Sequence, residues 1–379
     1  MNFQFNETQQ MMRDLARDFA NKELAPIAAE IDQEERIPKE IIEKMAEIGF
    51  TGLNVPEEYG GPELDTVSKV LVVSELARQC ASTAEVIAVH TLVNDIFLKN
   101  GTPEQKQKYL TAAVEGKIGA FALTEAGAGS DAAAAKTKAV VDGDDYIING
   151  SKCFISNMGP TEGDYVVVIA LTEPEKGTKG MSAIVVDRGT PGFTVGKREA
   201  KMGIRGADIS ELIFEDCRVP RSNLIGQEGQ GFKIAMVALD GGRVGMAAQA
   251  LGISDAAIAA SAKYMNERVQ FGKPIGKLQG LQWYLADMAT NNEAAWALTL
   301  EAACALDDGL PATKLAAMCK YFAAEAAVEI TNKALQIHGG YGYMREYPIE
   351  RMYRDARIVP IYEGTSEIQK GIIAREVLK

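Results

Sequence analysis

Tyr165-Val166-Val167-Val168 and Ala183-Ile184-Val185-Val186 decide how the fold is read, because they crowd β-branched residues into short runs within a chain otherwise rich in Ala, Leu and Met. Runs of this kind, bounded by turn residues, read as strands. Around them stand Ala139-Val140-Val141, Tyr146-Ile147-Ile148 and Leu212-Ile213-Phe214, with Asp142-Gly143 and Asn149-Gly150 as turn dipeptides. This spacing predicts an antiparallel sheet pair or barrel over about 117–225 rather than a βαβ array.

On both sides the period changes from two to near 3.6. From Asn6 to about Arg36, Met12, Leu15, Phe19, Leu24, Ile27 and Ile31 recur three to five apart and predict an amphipathic helix. Asn6 with Gln9 forms a capping-box pattern, and Thr102-Pro103-Glu104-Gln105 repeats it with proline at the first helical position. Pro38 opens a further helix bearing Ile41, Met45 and Ile48, which Gly49 closes. Beyond Gly231, periodic stretches at about 231–268, 278–307, 312–338 and from about 366 predict an antiparallel helical bundle. No G-x-G-x-x-G follows a strand, so a nicotinamide site has no support.

Composition narrows the function classes. A net charge of -12 argues against nucleic acid or anionic membrane as the main partner, since phosphate binding leans on a surplus of Lys and Arg. No apolar run approaches the roughly 18 to 20 residues of a membrane span. The start, Met1-Asn2-Phe3-Gln4-Phe5-Asn6, shows neither a signal nor a transit pattern, so a cytoplasmic location is expected. The cysteines Cys80, Cys153, Cys217, Cys304 and Cys319 form no CxxC pair and read as buried reduced thiols. With only His90 and His338 present, a metal centre is not expected and acid-base chemistry falls to carboxylates.

Seven segments, in order along nearly the whole chain, carry a resemblance. They are Val55-Pro56-Glu57-Glu58-Tyr59-Gly60-Gly61; Leu123-Thr124-Glu125 through Ala128-Gly129-Ser130-Asp131; Asn149-Gly150-Ser151-Lys152 through Ile155-Ser156-Asn157; Lys201-Met202-Gly203; Glu267-Arg268 through Gln270-Phe271-Gly272-Lys273; Gln336-Ile337-His338-Gly339-Gly340-Tyr341-Gly342; and Ile361-Tyr362-Glu363-Gly364-Thr365-Ser366-Glu367. Together they resemble the acyl-CoA dehydrogenases. Gly241-Gly242-Arg243-Val244 through Gln249-Ala250-Leu251-Gly252 looks like the helix motif of the short-chain, butyryl-CoA branch. The resemblance implies an α+β multidomain fold: an N-terminal all-α domain (1–116), a middle antiparallel β-barrel domain (117–225) and a C-terminal four-helix bundle (226–379), as a homotetramer.

It also implies a chemistry. The family removes the α-proton of an acyl-CoA thioester and passes the β-hydrogen as hydride to flavin N5 of FAD, giving a trans-2-enoyl-CoA, with electrons exchanged with an electron-transferring flavoprotein. Glu363 matches the base. Gly242 stands where other branches place theirs, so one base is expected. For FAD, the resemblance points to Phe121, Leu123, Thr124, Gly129, Ser130, Phe154 and Ser156 around the ring and pyrophosphate. It adds Arg268, Gln270, Phe271, Gln336, Gly339 and Gly340 reaching in from a neighbouring subunit, together with Thr365 and Glu367. Ser130, Asp240, Arg243 and Gly364 are implied for the acyl-CoA substrate, although Asp240 and Arg243, three apart on a helix, also fit an intrahelical ion pair.

The usual Thr-Glu-Pro is Thr124-Glu125-Ala126 here, which removes no functional group. Leu92 and Val93, in the segment 86–95 beside the acyl pocket, leave chain length open. No arginine occurs between Gln79 and Asn100, which disfavours a dicarboxylyl substrate. The same site run backwards is an enoyl-CoA reductase, on branched or aromatic acyl groups as well. An acyl-CoA oxidase, whose chains are generally longer, and a non-catalytic flavin- or acyl-CoA-binding protein are the other readings.

Overall fold

The computed structural model describes residues 4–159 and 163–379; Met1-Asn2-Phe3, part of the start read for a targeting pattern, lies outside the described residues. The chain opens with α1 (Glu7–Phe19), whose capping box is formed as predicted: Asn6 accepts from the Gln9 backbone and Gln9 reaches back. The single helix expected to Arg36 is broken, however. A π-helical turn, Ala20–Leu24, precedes α2 (Ala28–Glu34). Pro26 lies between them, and it has no N–H with which to continue the ladder. There follow α3 (Lys39–Glu47), α4 (Thr66–Gln79), α5 (Ala81–Asn100) and α6 (Pro103–Val114), the last with the predicted Thr102/Gln105 box.

The middle holds β1 (Gly119–Ala122), β2 (Lys138–Asp142), β3 (Asp145–Ser156), β4 (Tyr165–Leu171), β5 (Met181–Asp187), β6 (Phe193–Arg198), β7 (Ile209–Pro220) and β8 (Leu224–Ile225). They run in the order β6-β7-β3-β2-β4-β5-β8, with β1 beside β4. β4 and β5 are the two runs from which the fold was read, and six of the seven residues in each are buried. The sheet is mixed rather than wholly antiparallel. β1 arrives from α6 and pairs parallel with β4, and Lys138 of β2 also meets Leu171 of β4 in parallel register. β3 and β7 shift register between Lys152 and Ile155, where Phe154 takes a φ of 57° and turns out to 65% exposure.

The C-terminal region consists of α7 (Gly231–Glu267), a short hairpin of β9 (Val269–Gln270) and β10 (Lys273–Pro274), α8 (Gln279–Asp307), α9 (Thr313–His338), α10 (Ile349–Ala356) and α11 (Ser366–Val377). α10 is absent from the sequence reading. α7, of 37 residues, packs on α4, α5, α8 and α9. By length and average composition it could cross a membrane, although Asp240, Arg243 and Gln249 interrupt any continuous apolar run, and 67% of its most apolar window is buried within the protein. Its apolarity is that of a core helix.

α7 approaches α4 closely at Gly252, where an added Cβ would lie 2.1 Å from the Ser74 carbonyl oxygen and 2.7 Å from the Ala77 Cβ. Two backbones cannot both hold their places around that methyl. Gly252→Ala is therefore expected to destabilise the protein by about 2–3 kcal/mol, despite the better helix propensity of alanine. The denaturant midpoint reads the change; an unchanged or higher midpoint would contradict the close approach.

Candidate active site

Glu363 sits in the turn between α10 and α11, with Glu363 and Gly364 both left-handed, at φ 50° and 92°. For a residue with a Cβ that conformation costs energy unless its surroundings fix it. They do so here: Gln369 Nε2 donates to the Glu363 carbonyl (3.1 Å) and the Gly364 carbonyl (2.9 Å), and Lys320 Nζ of α9 donates to the Gly364 carbonyl (2.7 Å). Thr365 caps α11, accepting from the Ile368 backbone at 3.3 Å. Tyr362 is tied to Gln249 of α7 through its hydroxyl.

The residue is half-buried, but its Oε2 is shielded from solvent and has no hydrogen-bond partner among the described residues. Burial pushes the carboxyl up to about 7, against the pull of Lys320 and Arg243 and with a small push from Glu85. A carboxylate in that state has lost its water and gained no substitute, the condition in which it is most basic. The space for it is made by α7. A Cβ on Gly242 would stand 2.4 Å from Glu363 Oε2 and 2.6 Å from Leu92 Cδ1.

Arg243 is buried and pairs with Asp240 at 2.5 Å, and Asp240 also accepts from Thr313 Oγ1 at 2.7 Å. The intrahelical ion pair is thus formed, and its guanidinium acts on the Glu363 carboxyl. Sequence reasoning missed two further groups. Glu85 of α5 is fully buried, accepts from Ser156 Oγ at 2.7 Å, and is pushed up to about 7 by burial. Lys320 is fully buried in α9. A lone acid in the apolar run 81–93 and a lone lysine amid alanines were the available signals.

The residues assigned to FAD fall into two sets. Leu123 and Thr124 lie at the end of β1, locked by a buried ion pair: Lys152 Nζ donates to the Leu123 carbonyl (2.9 Å) and to Glu125 Oε1 (2.8 Å), while Glu125 also accepts from the Lys136 and Thr137 backbone. Cys153 N donates to the Thr124 carbonyl, which brings Phe154 and Ser156 alongside. Phe121 is half-buried, and Gly129 and Ser130 are exposed. The second set lies at the far end of α7 and α9. Arg268 stacks 5.2 Å over the Tyr341 ring, Phe271 is 89% exposed in the β9–β10 turn, and Gln270, Gln336, Gly339 and Gly340 are exposed. Glu367 is exposed in the first turn of α11. No hydrogen bond or ring contact joins the two sets among the described residues.

Both sets fit a flat, phosphate-bearing ligand. Positions 129, 339 and 340 have no atom within 4 Å of where a Cβ would stand, so backbone is open to close approach, and the uncovered Phe154 and Phe271 offer apolar faces. No group of three His, Cys, Asp or Glu is placed to hold an ion among the described residues. His90 is buried with Nδ1 accepting from Gly119 N at 3.0 Å, and burial lowers it to about 4. Of the cysteines, Cys80, Cys217 and Cys319 are buried as expected, Cys153 is half-buried, and Cys304 is exposed.

Models of the acyl-CoA dehydrogenase N-terminal, middle and C-terminal domains match residues 6–117, 120–217 and 229–378. The chain belongs to the acyl-CoA dehydrogenase family, whose members are FAD-dependent flavoproteins. It is 56% identical to an acryloyl-CoA reductase (NADH) of Anaerotignum propionicum, covering 100% of this chain and 96% of that one. Its structure matches butyryl-CoA dehydrogenase from Megasphaera elsdenii with a TM-score of 0.98, at 45% identity and full coverage of both chains. It also matches, with a TM-score of 0.98, 48% identity and full coverage of both, a chain described with the electron transferring flavoprotein of Acidaminococcus fermentans in work on flavin-based electron bifurcation.

Gly242→Ala puts a methyl where Glu363 Oε2 and Leu92 now meet, so the carboxyl must move. With Glu363 as the reacting group, a displacement of about an ångström is expected to slow substrate-dependent flavin bleaching on the order of a hundredfold. The far-ultraviolet spectrum and FAD content should be unchanged. Normal bleaching in a well-folded variant would show that the carboxyl is not confined at this point.

Proposed function

We propose that the protein catalyses the α,β-dehydrogenation of a short-chain acyl-CoA thioester to the trans-2-enoyl-CoA, with Glu363 as the base, and that the same site runs in reverse as an enoyl-CoA reductase. The observation that carries this reading is the dry carboxyl of Glu363, with one oxygen unsatisfied and its space kept open by Gly242. FAD, when bound, supplies the acceptor for the β-hydrogen as hydride. The chain does the rest. Glu363 takes the α-proton onto its carboxylate, and the buried charges of Lys320 and Arg243 keep a fraction of it ionised near neutral pH. The paired Lys152 and Glu125 hold the 123–125 segment, and Ser156 is fixed by Glu85. Phe154 and Phe271, left bare in a single chain, support a site completed by a second copy, as in a homotetramer; a cytoplasmic location belongs to the same proposal. An electron-transferring flavoprotein as redox partner is supported by the A. fermentans likeness.

The acyl pocket reads as short. Glu363 Oε2 and Leu92 Cδ1 flank one Cβ position, which puts them within about 5 Å of each other and leaves little length beyond the β-carbon. Leu92 also borders a small cavity of about 20 Å³ between α4, α5 and α7, lined also by Lys69, Val73, Asp95 and Val244.

Three measurements test the proposal. Glu363→Gln is expected to keep FAD but lose bleaching by butyryl-CoA by at least roughly a thousandfold. In the wild type, dehydrogenation should rise with pH through about 7 as the base ionises, and enoyl reduction should fall through the same range because it needs the protonated acid. Retained bleaching in Glu363→Gln would remove the base assignment. Leu92→Ala joins the small cavity to the acyl space and should move the preferred thioester roughly two carbons longer; an unchanged chain-length profile would place the limit elsewhere.

A further inference from the structure

Lys320 is the least expected charge in the bundle. It lies in the middle of α9 on a face made of Ala316, Ala317, Ala323, Ala324 and Ala327, and no part of its side chain reaches solvent. Its Nζ donates to the Gly364 carbonyl at 2.7 Å, and no carboxylate lies within ion-pair distance of it among the described residues. A buried ammonium left without a counter-ion is costly, and a protein of this stability tolerates few. The carbonyl it holds follows Glu363 directly, and the same carbonyl already receives Gln369. A neutral donor would satisfy the turn, so the hydrogen bond alone does not account for a charge at this position.

We propose that Lys320 is a positioning residue for Glu363: its ammonium anchors the Gly364 carbonyl and provides a fixed, dry positive charge that favours the ionised form of the neighbouring carboxyl. The inference rests on Glu363 being the base. The charges around the pair come from several elements. Glu363 faces Lys320 of α9, Arg243 of α7 and Glu85 of α5; Lys320 faces Glu363, Arg243, Glu325 of its own helix and Glu367 of α11. Arg243 is already committed to Asp240 and Glu325 to the Ser366 hydroxyl, which leaves the Lys320 charge as the unneutralised cation nearest the turn. Burial lowers Lys320 to about 8, against the support of Glu363, so the lysine keeps its charge through the neutral range and loses it in mild alkali.

The sign of the effect follows. A nearby positive charge favours the carboxylate, so removing it raises the pH at which Glu363 ionises and moves the acid limb of dehydrogenation upward. Lys320→Met removes both charge and hydrogen bond, Lys320→Gln keeps a donor without the charge, and Lys320→Arg keeps the charge. The acid limb of butyryl-CoA dehydrogenation by the FAD-loaded protein is expected to rise by on the order of one pH unit in the first two and to stay in place in Lys320→Arg. Thermal unfolding, read alongside, reports on the turn. A merely structural lysine would lower the unfolding temperature and leave the limb where it is.

Lys320→Gln covers the case in which Lys320→Met does not fold. A folded, FAD-containing Lys320→Gln with an unmoved limb would overturn the proposal, and so would a Lys320→Arg whose limb moves as far as that of Lys320→Gln. Failure of the base assignment is separately visible, because Glu363→Gln would then retain bleaching whatever Lys320 does.

Discussion

A helix of 37 residues can be buried along most of its length only if its neighbours come to backbone distance, and the glycines of α7 meet that constraint. Gly252 admits α4, and Gly242 admits the carboxyl of Glu363 and the side chain of Leu92. Because α7 also touches α5, α8, α9 and β5, its placement sets where the N-terminal helices, the sheet and the C-terminal helices stand relative to one another. The active-site volume is what remains between these elements.

The electrostatics of that volume are unusual for their lack of direct pairs. Glu363, Glu85 and Lys320 are all shielded from water, yet none of them forms a salt bridge with another. Glu85 is held at one oxygen by a hydroxyl and Lys320 by a carbonyl, and Glu85 and Glu363 each keep one buried oxygen with no partner among the described residues. Direct pairing would stabilise the ionised carboxyl so strongly that it would no longer take a proton. Keeping the charges near but unpaired leaves both protonation states of Glu363 accessible close to neutral pH. The Lys152 and Glu125 pair serves the opposite end: there a direct buried bridge fixes a backbone segment and no proton has to move.

Much of this arrangement was legible in the sequence. The capping boxes at Asn6 and Thr102, the strands at 165–168 and 183–186, and the long helices after Gly231 follow from local pattern, and local pattern survived folding. The helix from Asn6 to Arg36 was over-read because its apolar spacing continues past Pro26, and periodicity does not register a missing N–H. The overall apolarity of α7 does not show as a continuous run, because Asp240, Arg243, Gln249 and Asp255 interrupt it. The parallel pairing of β1 with β4 could not be seen, since it is set by where α6 delivers the chain. In the site, Glu363 and Gly242 were singled out by motif, but their contact was not. Glu85 and Lys320 were passed over because a single charge in an apolar helix is indistinguishable, by composition, from one that points to solvent.

The contact between positions 242 and 363 bears on how such enzymes diverge. A side chain at 242 and the carboxyl of Glu363 compete for the same space, so, with Glu363 as the proposed base, the two positions exclude each other as hosts for one. A lineage carrying its base at one of them cannot drift to the other by single substitutions without passing through an intermediate that has either two colliding carboxyls or none. The relocation has to occur as a coupled pair of changes, and descendants of this chain should therefore keep glycine at 242 for as long as they keep glutamate at 363.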